Sequence, residues 1–174
     1  MEIGLLLVRL VVGGTLAAHG AQKLFGWFGG YGIAGTGGWL ESLGFRPGKL
    51  QATVSGLSEF GGGLLLAAGL LTPLGGAAIA GVMIVAIASV HLDKGFFNGT
   101  GGYEFNLVLA VTALALAFTG PGRFSLDRAL GLDLNGPVYG IAATVAAVLI
   151  GGFVLATRRK APAEAAVEDE LKAA

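Results

Sequence analysis

The chain has 174 residues, of which 54% are hydrophobic and only 13% charged, with a formal net charge of +0 and a mean hydropathy of +0.77. An ordinary soluble domain carries about 25% charged residues, so this chain lacks the polar surface of a water-facing globule. Its apolar residues fall into bilayer-length runs, which excludes a soluble enzyme, a disordered chain and a fibrous protein. Balanced charge without a long basic stretch gives no reason to expect nucleic acid as a partner.

Glycine is abundant, at 32 residues, with no triplet period. Helices in lipid associate by packing, and small residues let their backbones approach closely. Cysteine is absent. The chain therefore forms no disulfide, holds no iron–sulfur cluster through thiolates and performs no thiol exchange of its own.

Five apolar segments follow one another, each of the length that one helical crossing needs. The first spans about Ile3 to Gly20, interrupted by Arg9 and closed by His19. Glu2 stands where a cleaved signal would carry positive charge, and Arg9 lies inside the apolar stretch, so the segment reads as a retained helix. The connection from Ala21 to Lys49 is rich in glycine and holds Phe25, Trp27, Phe28, Tyr31, Trp39 and Phe45. These aromatics suit a segment at the membrane interface or a shallow re-entrant loop.

The second crossing is expected over about Gln51–Leu71, with Glu59 before Gly61-Gly62-Gly63. Thr72-Pro73 predicts a tight reversal, because proline is tolerated in the first turn of a helix. The third crossing continues to about His91 or Leu92, and the fourth runs from about Tyr103 to Thr119. Gly120-Pro121-Gly122 then predicts a turn, followed by a short amphipathic surface helix capped by Ser125. A fifth crossing is expected over about Pro137–Thr157, after the turn at Asn135-Gly136. The pattern predicts one all-α, polytopic membrane bundle over residues 1–157 and a mobile, charged tail over 158–174. A barrel would show short alternating segments instead.

Lys and Arg placement orients the bundle. Arg158, Arg159 and Lys160 follow the fifth crossing directly, and Lys23, Arg46, Lys49 and Lys94 share that side. The C-terminus is therefore expected in the cytoplasm.

Two ionisable residues lie inside crossings, Arg9 and Glu59. Each costs roughly 2.5–3.5 kcal/mol at the centre of a lipid-facing helix, so both are expected to face the bundle interior. Counted from the helix ends they sit at similar depth, which predicts an Arg9–Glu59 ion pair between the first two crossings. Such a pair can fix register or line a buried ligand cavity.

The histidines, His19 and His91, close two parallel crossings and so share one membrane face. Lys23, Lys94, Glu104 and Asn106 belong to the same end. Three readings stay open at this point. The histidines can be polar helix ends at the interface. They can hydrogen-bond the carbonyl of a small redox molecule such as a quinone, beside a cavity closed by Phe25, Trp27 and Phe97. They can act as haem or metal ligands, which is disfavoured by their shallow position and the lack of an attachment motif. No metal site and no catalytic residue is assigned.

Several short stretches resemble the DoxX family of small bacterial membrane proteins. They are Arg9, His19-Gly20-Ala21-Gln22-Lys23-Leu24-Phe25, Glu59-Phe60-Gly61-Gly62 and Gly69-Leu70-Leu71-Thr72-Pro73. His91 with Gly95-Phe96-Phe97, and Gly120-Pro121-Gly122-Arg123-Phe124-Ser125-Leu126-Asp127, continue the pattern to about residue 130. The resemblance implies a multi-pass protein of the bacterial cytoplasmic membrane, with a four-helix core to which this chain adds a fifth transmembrane helix. It also implies that Arg9, His19, Lys23, Glu59 and His91 are the characteristic polar positions.

Some relatives are described as subunits of quinone-linked oxidoreductases, others as membrane platforms for enzymes of oxidative stress. The resemblance thus suggests a quinone-binding subunit of a redox or respiratory system. Its ligand residues would be His19, Lys23, His91, Glu104 and Trp27. The alternative is a non-catalytic scaffold or accessory subunit of a larger respiratory or stress-response complex. Without cysteine, any redox cycle must run through a bound quinone, a haem or a partner's cofactor.

Overall fold

The computed structural model describes residues 2–159; Lys160 and most of the expected tail lie outside the described residues. Five long helices cover the five apolar segments: α1 (Glu2–Phe25), α3 (Gly48–Ala68), α4 (Thr72–Ala86), α5 (Glu104–Thr119) and α7 (Pro137–Ala156). Among the described residues two shorter α-helices accompany them, α2 (Gly32–Ser42) and α6 (Leu126–Ala129). The fourth helix continues through a π turn, Ile87–His91, and a 3-10 turn, Leu92–Lys94.

Among the described residues, three spans are both long and apolar enough to cross a bilayer: Glu2–Phe25, Thr72–Lys94 and Pro137–Ala156. The α5 helix is apolar but has 16 residues, and α3 reaches 21 residues while carrying Lys49 and Glu59. A helix in lipid satisfies its backbone polar groups internally, which is why this composition folds as helices.

The helices are built with small residues inside and large ones outside. On α7 the buried positions are Gly140, Ala143, Ala147 and Gly151, whereas Ile141, Val145, Leu149 and Phe153 are exposed. Water would punish that arrangement, and lipid favours it.

The α1 and α3 helices run antiparallel in the closest contact of the bundle. A Cβ on Gly13 would lie 2.5 Å from the Gly63 oxygen and 2.6 Å from the Ala67 nitrogen, and one on Gly20 would collide with the Phe60 backbone. The α4 helix packs on the far side of α3, and α5 and α7 pack in turn on α4. The core lies between them, around Leu16, Leu66, Ile79, Met83, Leu109 and Leu116.

The stretch read as an interfacial connection contains α2, which packs on α3 and α1. At this end of the bundle α7 is fastened to the turn between α2 and α3. Arg159 N donates to Gly44 O at 2.9 Å, and Arg158 Nε donates to Leu43 O at 2.6 Å. The first two residues of the expected tail are thus anchored. Lys23, Arg46, Lys49, Lys94, Arg158 and Arg159 all belong to this basic end, because α1, α4 and α7 finish here and α3 begins here.

The opposite end is locked by two buried charges. The Arg9 guanidinium, 1% exposed, donates to the carbonyls of Pro121, Phe124 and Ala67. Asp127, also 1% exposed, accepts from Leu71 N at 2.7 Å, Thr72 N at 3.2 Å and Thr72 Oγ1 at 2.9 Å. It caps α4 and holds Leu71 at φ 46°, a left-handed conformation that costs a side-chain-bearing residue energy. Gly69, at φ 64°, has no room for a Cβ, which would meet the Arg9 guanidinium and Ser125. Ser125 caps α6 as expected, accepting from Arg128 N at 3.2 Å.

Candidate functional site

The expected Arg9–Glu59 pair does not form. Glu59 Oε1 instead accepts from Lys23 Nζ at 2.7 Å, and Lys23 Nζ also donates to Ser55 Oγ at 2.9 Å. The reason is register. The α1 helix continues past His19 to Phe25, and α3 starts three residues earlier than expected, at Gly48. The antiparallel contact then sets Gly20 beside Gly56 and Phe60, so Glu59 faces the Gly20–Lys23 turn. Arg9 lies eleven positions from Gly20, roughly 16 Å along the helix. It meets the locking turn at the other end.

Ser55 and Glu59 are one turn apart on α3, so both present to α1. Glu59 is 3% exposed, and its Oε2 has no hydrogen-bond partner among the described residues. Lys23 is half-buried beside it and reaches a cavity of about 540 Å³ between the end of α1 and α2. The walls are His19, Gln22 and Lys23 from α1, Gly29 and Gly30 at the end of a short 3-10 turn, Trp27–Gly29, then Tyr31 just before α2 and Gly35, Thr36 and Trp39 along it. Gln22 Nε2 donates to Phe28 O at 3.2 Å, which ties that turn to α1. The cavity is partly open and mostly apolar, with a few convergent polar groups, as small-molecule sites are.

The structure brings His19 and Lys23 to this cavity but leaves His91, Glu104 and Trp27 outside it. Because α3 separates α1 from α4, the two histidines end up in different surroundings. His91 Nδ1 lies 2.7 Å from Gly101 O, so that nitrogen carries the proton and donates. Glu104 Oε2 accepts from Asn98 N at 3.0 Å, closing the same loop, and Asn106 Nδ2 sits 3.5 Å from Met83 Sδ. Trp27 and Phe25 pack against each other, tilted, with ring centroids 4.9 Å apart, and are exposed, and Phe97 packs on Phe96 in the α4–α5 loop. The aromatic wall comes instead from Tyr31 and Trp39. Ser55 and Asp127 were missed by sequence reasoning; the Ser55–Glu59 spacing was the signal for the first.

A bundle of apolar-faced helices, three of them long enough to span a bilayer among the described residues, defines a multi-pass membrane protein, and the family and inner-membrane relative that follow place it in the cytoplasmic membrane. The DoxX family's sequence profile matches residues 4–92. The chain belongs to the DoxX family. It is 33% identical over 131 residues to the inner membrane protein YqjF of Escherichia coli (strain K12), which covers 74% of this chain and 93% of that one. It is 34% identical over 126 residues to a Bacillus subtilis (strain 168) protein named "Putative oxidoreductase CatD", covering 72% and 86%. No solved structure matches the chain.

Proposed function

We propose that this protein is the membrane subunit of a quinone-linked redox system and that the His19–Lys23 cavity holds the quinone head group. The observation that carries this reading is the state of Lys23. An ammonium has three N–H donors, of which Glu59 and Ser55 take two, leaving one for a ligand in the cavity that Lys23 lines.

The surroundings suit a ring bearing carbonyls. His19 is exposed in the wall and can donate one hydrogen bond and accept another, so it can meet either a carbonyl or a hydroxyl. Tyr31 and Trp39 offer aromatic faces. The Lys23–Glu59 pair is neutral overall, so the cavity does not demand an anionic ligand. A quinone supplies the two-electron carrier that a chain without cysteine cannot supply itself. The relative whose name calls it an oxidoreductase agrees with redox chemistry, without giving its substrate.

The test is equilibrium binding of a short-chain benzoquinone to the purified protein in detergent. His19→Ala is expected to weaken binding about tenfold, the worth of one hydrogen bond to a charged or polar ligand group. His91→Ala is expected to leave it unchanged. Absence of saturable binding by the unaltered protein would favour the accessory-subunit reading.

A further inference from the structure

We infer that the basic end carries a second binding site, for the phosphodiester headgroup of an anionic phospholipid, built from Arg46 and Arg159. These two side chains line an open cleft with Glu41, Pro47 and Thr157, separate in its residues from the His19–Lys23 cavity. Both arginines are exposed, and the one ion pair among the described residues is Lys23–Glu59, so neither guanidinium is paired with a described carboxylate. The acid in the cleft, Glu41, has its Oε1 engaged by Gly48 N at 2.8 Å.

The two arginines come from distant parts of the chain and are held near each other by fixed backbone. Arg159 is tied through its own N–H to Gly44 O, and the neighbouring Arg158 stacks on buried Phe45 at 5.5 Å while bonding Leu43 O. The turn that receives them leads directly into Arg46. Two planar guanidinium forks on a preorganised frame match the geometry of a phosphate group.

Position favours a lipid over free phosphate. Arg159 lies three residues beyond the last residue of the Pro137–Ala156 span, at most about 10 Å along the non-helical chain, within the depth of the headgroup layer. Below Thr157 on the same face of α7 come Phe153 and Leu149, 70% and 67% exposed, which give an acyl chain an apolar track leading from the cleft. Basic pockets between helices at a membrane surface recognise anionic headgroups in this way.

Thermal unfolding of the full chain in a neutral detergent tests the site, with phosphatidylglycerol, phosphatidylcholine or inorganic phosphate added at equal concentration. Phosphatidylglycerol is expected to raise the midpoint, and the other two to leave it in place. The double variant Arg46→Gln, Arg159→Gln should keep its midpoint without lipid, since the Arg159–Gly44 bond uses backbone, and should lose at least half of the lipid-induced shift. Arg123→Gln, at the opposite end, should retain the full shift. Three results would each overturn the assignment: an equal shift with inorganic phosphate or phosphatidylcholine, retention of more than half the shift by the double variant, or an equal loss in Arg123→Gln.

Discussion

Lys23 Nζ and Glu59 Oε1 lie 2.7 Å apart across the α1–α3 contact, and the two partners differ in depth: Lys23 retains 26% of its side-chain exposure and Glu59 only 5%. The pair is therefore asymmetric to break. Lys23→Met leaves a carboxylate stranded in the core, whereas Glu59→Gln leaves an ammonium that can still reach water. Removing one partner of a buried pair costs about 3 kcal/mol or more when the remaining charge is trapped. Lys23→Met is expected to lower the unfolding midpoint clearly more than Glu59→Gln does, measured by thermal denaturation in detergent. The reverse order would contradict the described depths.

Arg9 and Glu59 share no partner, so their variants should act independently. The double variant Arg9→Lys, Glu59→Gln is expected to lose the sum of the two single losses, within about 0.5 kcal/mol. A coupling well above that, from a double-mutant cycle, would restore the pairing read from the sequence. Arg9→Lys alone should be strongly destabilising, because one ammonium cannot span the carbonyls of Pro121, Phe124 and Ala67 that the guanidinium joins.

Asp127 stabilises the α3–α4 reversal by accepting two backbone donors and a hydroxyl. Asp127→Ala leaves the buried N–H of Thr72 and the strained Leu71 without their acceptor. The expected loss is about 2–4 kcal/mol, from unsatisfied donors and an uncapped helix. Thr72→Val removes just the hydroxyl and should cost less. Chemical or thermal unfolding of the two variants decides the order.

The α1–α3 contact leaves no room at Gly20 and open space at Gly14. Gly20→Ala should separate the helices and sharply reduce the yield of folded protein. Gly14→Ala, on the same helix, should behave as the unaltered chain or slightly better, because alanine favours helix by about 1 kcal/mol over glycine. Size-exclusion profiles of the two variants give the readout.

How far the sequence revealed this molecule depended on what each residue's signal was about. The apolar runs marked all five long helices, since hydrophobicity over a bilayer's length is a local property. Ser125 was legible as a cap for the same reason. The ends of α1 and α3 were not: polar Gln22 and Lys23 extend a helix that hydropathy alone would stop at Gly20. That error of a few residues shifted the antiparallel register and paired Arg9 with the wrong partner. The α2 helix was hidden because Gly32, Gly35, Gly37 and Gly38 argue against helix locally, while packing on α3 overrides propensity. His19 and Lys23 could be placed at one end from topology, but their separation from His91 depends on α3 lying between α1 and α4. Asp127 closes a stretch that carries the family resemblance, but its capping role depends on partners 55 and 56 residues away in sequence, which no local pattern marks.

A quinone ring held between the end of α1 and α2, as proposed, would lie within reach of His19 and Tyr31, and adduct mapping detects it there. A photoreactive azido-benzoquinone would be irradiated with the purified protein and the modified peptides identified by mass spectrometry. Adducts are expected within His19–Lys23 and Gly29–Trp39, suppressed by excess unlabelled quinone and reduced in His19→Ala. Adducts confined to the His91–Glu104 loop, or spread along the exposed helix faces without competition, would contradict the assignment.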